Sequence, residues 1–383
     1  MDKAPSAEEN YKEKIKYLEE KIKFLENENK LQKDYIKSLN EQILLLKEKL
    51  HIKIENTSPI NQTTEIKTPN IKYISNIKYI SEREPIHFMS KHHANNIYCI
   101  AILKNKRLVS GGYDAKIIVY DKSYTHPDLE INEHSAAVTS LFVASNGNLI
   151  SSSCDKTLKI FKIEENNNKS GLNLNYYLLQ TINTTHSNNI IHVKELSSNK
   201  LVSCSLDTQL NFYSLQNNNY SKEITIDVPK SVYDFIEVLN DQLVISLPDS
   251  LKLFNIKNRN FIKELKEIYC YSDWVNNCLC LLKQNYLVVC GNNYLYVVDL
   301  VQFKLLNKIN TGSNNISLCF WNDRLFVGTS NGMIQEYKVD GMNLSKISFK
   351  EKCHQNAAIW QLLIDDEGNL ISCSHDNYIK IWN

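Results

Sequence analysis

The sequence predicts an all-β chain: a seven-bladed β-propeller over residues 85–383, preceded by an α-helical coiled coil. Three observations carry this. A phrase of roughly 40–45 residues returns along most of the chain. Each return holds short alternating strands around an Asp or Asn turn. Ahead of them, residues 11–50 carry a separate apolar period of about 3.5 residues.

The repeated phrase is Leu, two or three apolar or Ser positions, a turn, then an alternating strand that ends in an aromatic. Four copies are clear: Leu108 to Asp114 to Tyr120, Leu149 to Asp155 to Phe161, Leu201 to Asp207 to Tyr213, and Leu370 to Asp376 to Trp382. Three weaker copies start at Leu243, Leu287 and Leu325, with Asp249, Asn293 and Asn331 at the turn. One interval is long and contains Glu164-Glu165-Asn166-Asn167-Asn168, which reads as a surface-loop insertion. The chain stops after the third strand of its last copy. A ring with no free sheet edge must then draw its missing strand from the other end, and Pro85–Met89 is placed to supply it.

The clear copies resemble the WD-repeat family, across about 300 residues. In that family a His before the blade, a Ser or Thr on the second strand, the turn Asp and a Trp on the third strand form a hydrogen-bonded tetrad. The resemblance carries this onto His93, Ser110, Asp114 and Tyr120; onto His186, Ser203, Asp207 and Tyr213; and onto His354, Ser372, Asp376 and Trp382. In His134, Ser151 and Asp155 the fourth place is Phe161, which cannot donate. A buried imidazole needs partners on both nitrogens, and Asp and Ser supply them while pinning a turn. These histidines are therefore expected to be structural, neither catalytic nor metal-ligating.

The N-terminal period places Ile15, Ile22, Asn29, Ile36, Ile43 and Leu50 at a, with Tyr11, Leu18, Leu25, Gln32, Leu39 and Leu46 at d. Ile at a with Leu at d favours a two-stranded parallel coil, and one Asn at a, here Asn29, fixes register. The flanking pairs Lys14–Glu19, Lys21–Glu26 and Glu28–Lys33 are opposite in charge and suit a homodimer, although a heterodimer or a helix packed on the propeller also fits. Ser6 and Glu9 form a capping box that starts the helix. The expected organisation is a coiled-coil helix over 6–55, a linker over 56–84 with Pro59 and Pro69, and the propeller over 85–383. Within the linker, Ile71-Lys72-Tyr73-Ile74-Ser75 is repeated as Ile77-Lys78-Tyr79-Ile80-Ser81, either a docking strand or biased composition.

Composition excludes several functions. Lys and Arg number 44 against 43 Asp and Glu, and only four are arginines, so bulk charge points to neither nucleic acid nor a membrane surface. No run is long and apolar enough to span a bilayer, and no secretory signal precedes the helix. Ten cysteines occur without a C-x-x-C pair, which suits buried thiols in a reducing, cytoplasmic setting. No phosphate loop, nucleophile elbow or metalloprotease motif occurs, so no enzyme, cofactor or metal is expected.

The resemblance further implies partner binding on one face of the ring. Carried over position by position, the contact candidates are Asn96, Tyr98, Tyr113, Asn189, Leu206, Tyr233, Trp274, Trp360 and His375. Five of these are Tyr or Trp, residue types enriched at binding hot spots, and none is Lys, Arg, Asp or Glu. The expected function is a non-enzymatic scaffold, dimerised by its coiled coil and binding other proteins on the propeller. A substrate adaptor of a ubiquitin ligase, or a trafficking or autophagy adaptor, is the alternative.

Overall fold

The computed structural model describes residues 78–90, 92–168, 171–238, 241–270, 278–283 and 285–383. The coiled-coil reading over 6–55, Asn29 with it, lies outside these residues, as does Trp274. Among the described residues the chain is almost all strand, with a single short 3-10 turn at Ile80–Glu82.

The strands form seven four-stranded antiparallel sheets. Blade one holds β2 (Ile97–Ile102), β3 (Leu108–Gly112), β4 (Ile117–Tyr120) and β5 (Pro127–Ile131). Blade two holds β6 (Val138–Val143), β7 (Leu149–Ser153), β8 (Thr157–Asn168) and β9 (Gly171–Asn183). Blade three runs from β10 (Ile190–Glu195) through β11 (Leu201–Ser205) and β12 (Gln209–Gln216) to β13 (Asn219–Asp227). Blade four comprises β14 (Asp234–Val238), β15 (Gln242–Ser246), β16 (Ser250–Asn255) and β17 (Asn260–Lys266). Blade five comprises β18 (Leu279–Lys283), β19 (Tyr286–Gly291), β20 (Tyr294–Asp299) and β21 (Lys304–Asn310). Blade six comprises β22 (Asn315–Trp321), β23 (Arg324–Thr329), β24 (Ile334–Asp340) and β25 (Asn343–Lys350).

Blade seven closes the ring. Its own strands are β26 (Ile359–Ile364), β27 (Leu370–Ser374) and β28 (Tyr378–Trp382), and its outer strand is β1 (Pro85–Ser90) from the start of the propeller. β1 runs antiparallel to β28, with Pro85 opposite Trp382 and Ser90 opposite Tyr378. The Pro85–Met89 segment therefore supplies the strand that the last repeat lacks.

Burial follows the strand order. The second strands are apolar or small and fully buried, as in Leu108–Gly112, Leu149–Ser153 and Leu370–Ser374. They sit between neighbouring blades, so both faces are covered and the alternation of a half-exposed strand is lost. The outer strands alternate, as in β25, where Leu344 and Ser348 face inward between exposed neighbours.

Two sequence expectations are corrected. Glu164–Asn168 is not a loop: β8 continues through Asn168 and pairs with β9 as one long hairpin. Its acidic part has a partner waiting. Arg107, 1% exposed, donates from Nε to Glu165 at 2.7 Å and from Nη1 to the Tyr120 carbonyl, while its Nη1 also reaches Asp128. Asn105 and Lys122 of blade one reach the same Glu165. The hairpin thus ties blade two to blade one.

The second correction concerns residues 78–84, placed in the linker from the sequence. Ile80 is fully buried with Phe326, Ile334 and Trp382. Its amide donates to Glu336 at 2.7 Å, and the Ser81 amide donates to Ser348 Oγ at 3.0 Å. Arg83 is 3% exposed, lies over the Phe326 ring and donates to the Trp382 carbonyl. Residues 78–83 thus form a latch seated on blade six and the end of blade seven.

Candidate functional site

In a four-stranded meander the connection between the second and third strands lies at the same end as the connection into the next blade. The four histidines sit on these inter-blade connections and the four turn aspartates on the facing turns, so the networks mark one face of the ring. His93 Nδ1 is 2.8 Å from Asp114 and its Nε2 2.8 Å from Ser110 Oγ. The corresponding distances are 2.8 and 2.6 Å for His134 with Asp155 and Ser151. They are 3.0 and 2.9 Å for His186 with Asp207 and Ser203, and 2.9 and 2.7 Å for His354 with Asp376 and Ser372.

The fourth member sets the direction of each chain. Trp382 Nε1 can only donate, and it donates to Ser372 Oγ at 2.9 Å. The single Ser372 proton then goes to His354 Nε2, which leaves Nδ1–H to donate to Asp376. This assigns a neutral imidazole. Burial pushes His354 and His186 below the ordinary imidazole value, against the pull of their aspartates. Burial alone would raise Asp376, but the His354 hydrogen bond and the Tyr378 amide hold it below the usual carboxylate value; Asp114 is held down likewise by its His93 hydrogen bond. Tyr120 meets Ser110 at 3.1 Å, and Tyr213 meets Ser203 at 3.5 Å, the limit of a hydrogen bond. Phe161 is fully buried and makes no such bond. In its blade Thr157 adds a hydroxyl contact to Asp155 at 2.7 Å.

Blades four to six lack the histidine, and in blade six side-chain amides make the bonds between strand and turn. Asn315 Nδ2 donates to the Asn292 and Tyr294 carbonyls, and Gln335 Nε2 to the Thr311 carbonyl. The Tyr337 hydroxyl donates to Gln335 Oε1 at 2.7 Å. The sequence signal for these was only Asn and Gln where His and Ser are missing.

The contact candidates divide. Tyr98, Tyr113, Trp360 and His375 come together at the seam of blades seven and one. The Tyr98 ring meets Trp360 edge-on at 5.5 Å and Tyr113 edge-on at 6.3 Å, and His375 lies 6.3 Å from Trp360. Tyr113 is 56% exposed, His375 is exposed and Tyr98 is half-buried. Trp360 is the floor of this seam: it is buried, and its Nε1 has no hydrogen-bond partner among the described residues.

Asn96 and Asn189, both half-buried, accept from the Tyr113 and Leu206 amides, so their backbones hold the turn that carries the next candidate. Leu206 is half-buried against the blade-four core. Tyr233 departs from its reading as a contact residue. It is 9% exposed and packs with Val244, Leu251 and Ile268, because the strand it precedes runs between blades. A change there acts on the core.

With this geometry in place, comparison with known proteins adds one finding. Residues 83–121, 126–162 and 345–383 match the WD domain, G-beta repeat. The chain carries WD40 repeats. Each matched WD40 stretch begins on or just before an outer strand and ends with the third strand of the following blade, and the three contain His93, His134 and His354. The blade holding His186 has the same hydrogen-bond geometry but lies outside the matches. No curated protein matches the chain. A WD40 propeller is typically a non-enzymatic interaction fold, and among the described residues no helix is long and apolar enough to cross a membrane.

Proposed function

We propose that this protein is a non-enzymatic scaffold that holds protein partners at the seam of blades seven and one, on the face marked by the histidine networks. The observation that carries this is the contiguous group of Tyr113 and His375, exposed, over Tyr98 and Trp360. Such rings bury large area and lose few rotamers on binding. The Trp360 indole N–H below them calls for an acceptor, such as a peptide carbonyl. None of the four is Lys, Arg, Asp or Glu, so the ligand is an apolar or uncharged segment rather than a phosphopeptide or nucleic acid. The 6–55 segment dimerises the scaffold as a parallel coil with Asn29 facing its counterpart, and the whole acts in the cytoplasm.

The test uses the full chain. Proteins that co-purify with it are quantified against Tyr113→Ala and His375→Ala, whose side chains are exposed enough to remove without opening the fold. Each is expected to weaken capture by about 1–3 kcal/mol, with thermal unfolding unchanged. The dependence on salt should be shallow. Capture at wild-type level by both variants would place the binding surface elsewhere.

A further inference from the structure

Each blade of a propeller presents the free edge of its outer strand to solvent, and proteins blunt such edges with charge or proline. Six outer strands here do so. β5 has Pro127, Asp128 and Glu130; β13 has Lys222, Glu223 and Asp227; β17 has Lys263, Glu264 and Lys266. β21 has Lys304 and Lys308, β25 has Lys346 and Lys350, and β1 opens on Pro85. The seventh does not. β9 is Gly-Leu-Asn-Leu-Asn-Tyr-Tyr-Leu-Leu-Gln-Thr-Ile-Asn, with neither a charged residue nor a proline in 13 residues. It is also the longest outer strand; the next, β13, has 9 residues. At its middle three consecutive large apolar residues are exposed: Tyr177 at 48%, Leu178 at 38% and Leu179 at 47%.

The hairpin is held rigidly from within. Glu165 is anchored by Arg107, Leu174 is buried in the core shared with blade one, and Gln180 bonds both ways to the Tyr220 backbone. The exposed edge is therefore a preorganised strand rather than a loose ribbon.

We propose that the free edge of β9 pairs antiparallel with β9 of a second copy of this chain. Charge decides the occupant. A two-fold antiparallel pairing sets each residue against its mirror position on the same strand. On β21 or β25 that brings lysines close to lysines, which costs energy. On β9 it brings together only uncharged residues, whose apolar and amide groups match themselves. A foreign strand would find no charged handle here by which to be selected. About 13 residues at roughly 3.3 Å each give an edge near 43 Å long, ample for a ladder across the pair. The surface lies on the ring's outer wall, apart from the aromatic seam, so it stands or falls independently of it.

Crosslinking in the full chain tests this. Asn175, Tyr177 and Leu179 are changed to Cys one at a time, and disulfide-linked dimer is followed under mild oxidation on non-reducing gels. Val301→Cys on blade five, at 68% exposure, is the control. A dimer held elsewhere in the chain raises linking at Val301 too, and its linking would not respond to a change at Leu178. At least one strand position is expected to link 10-fold faster or more than Val301→Cys. Adding Leu178→Lys should return that rate to the control value, with thermal unfolding checked to show the blade intact. Equal rates at all positions, or fast linking unaffected by Leu178→Lys, would overturn the proposal.

Discussion

At the residue scale, the histidine networks are graded by their fourth member, and the grading is measurable. The Tyr120 hydroxyl lies 3.1 Å from Ser110 Oγ, whereas that of Tyr213 stands 3.5 Å from Ser203 Oγ. Tyr120→Phe should therefore cost about 1 kcal/mol in urea unfolding, and Tyr213→Phe about half that or less. The blade with Phe161 shows that the ring can be built without this bond. Asp376→Ala is more severe, because it strands the His354 Nδ1–H in a site with no exposure and also removes an acceptor for the Tyr378 amide. A loss of about 1–3 kcal/mol is expected, with partner capture falling only as far as the fold does. These residues were legible through the resemblance to WD repeats, in which His, Ser and Asp recur at fixed spacing. The amide bonds of blade six were not legible, since Asn and Gln serve equally as turn and surface residues.

At the element scale, the propeller begins before its first strand. The latch at 78–83 escaped the sequence reading because a single buried turn has no periodicity to detect; its only trace was the duplicated Ile-Lys-Tyr-Ile-Ser. The β8–β9 hairpin escaped for the opposite reason, since its Glu and Asn run masks an apolar alternation at Leu172, Leu174 and Tyr176. Ring closure, by contrast, was readable, because Pro85–Met89 stands one strand ahead of the first repeat, in the place of the strand that precedes His134 and His186. The latch and the clasp strand are separable by truncation. A chain starting at residue 76 retains Ile80 in its pocket and the Ile80 amide on Glu336. A chain starting at residue 85 keeps β1 but loses both, leaving the buried Glu336 without one of its two donors. Loss of about 2–5 kcal/mol is expected from the emptied Ile80 site alone. A chain starting at residue 92 also loses β1 and exposes the edge of β28, so it should aggregate. Unfolding midpoints and solubility of the three separate these effects; identical midpoints for the first two would show that the latch contributes nothing.

At the scale of the whole molecule, neighbouring blades share buried walls, as blades three and four do, so protonation inside one wall bears on both. The most exposed test of this is acid. His192 lies on the inner strand of blade three, 6% exposed, and neither ring nitrogen has a hydrogen-bond partner among the described residues. The Asp234 carboxylate is 3.7 Å from Nε2, too far to bond, and is engaged by Lys194 and by the Phe235 and Leu279 amides. Burial, then the Lys194 charge, lowers His192 to about 3. Burial lowers His186 and His354 as well. In the unfolded chain each titrates near 6.5, so between that value and the folded one the unfolded state binds more protons. Stability is then complete above about pH 6.5 and falls as the pH falls. Each histidine contributes up to about 1.4 kcal/mol per pH unit. The depressed Asp114 and Asp376 extend the loss below about pH 4, because their contribution disappears as they protonate. His192→Leu isolates one term. It removes two unpartnered polar atoms at nearly constant volume, so at pH 7 it should be neutral or mildly stabilising. At pH 5 it should gain a further margin of about 2 kcal/mol over the wild type, the cost of keeping one histidine neutral about 1.5 units below its unfolded value. Urea unfolding of both proteins at pH 7 and pH 5 measures that margin directly. Parallel losses in the two proteins would mean that His192 is protonated in the folded ring, and that Asp234 rather than burial governs it.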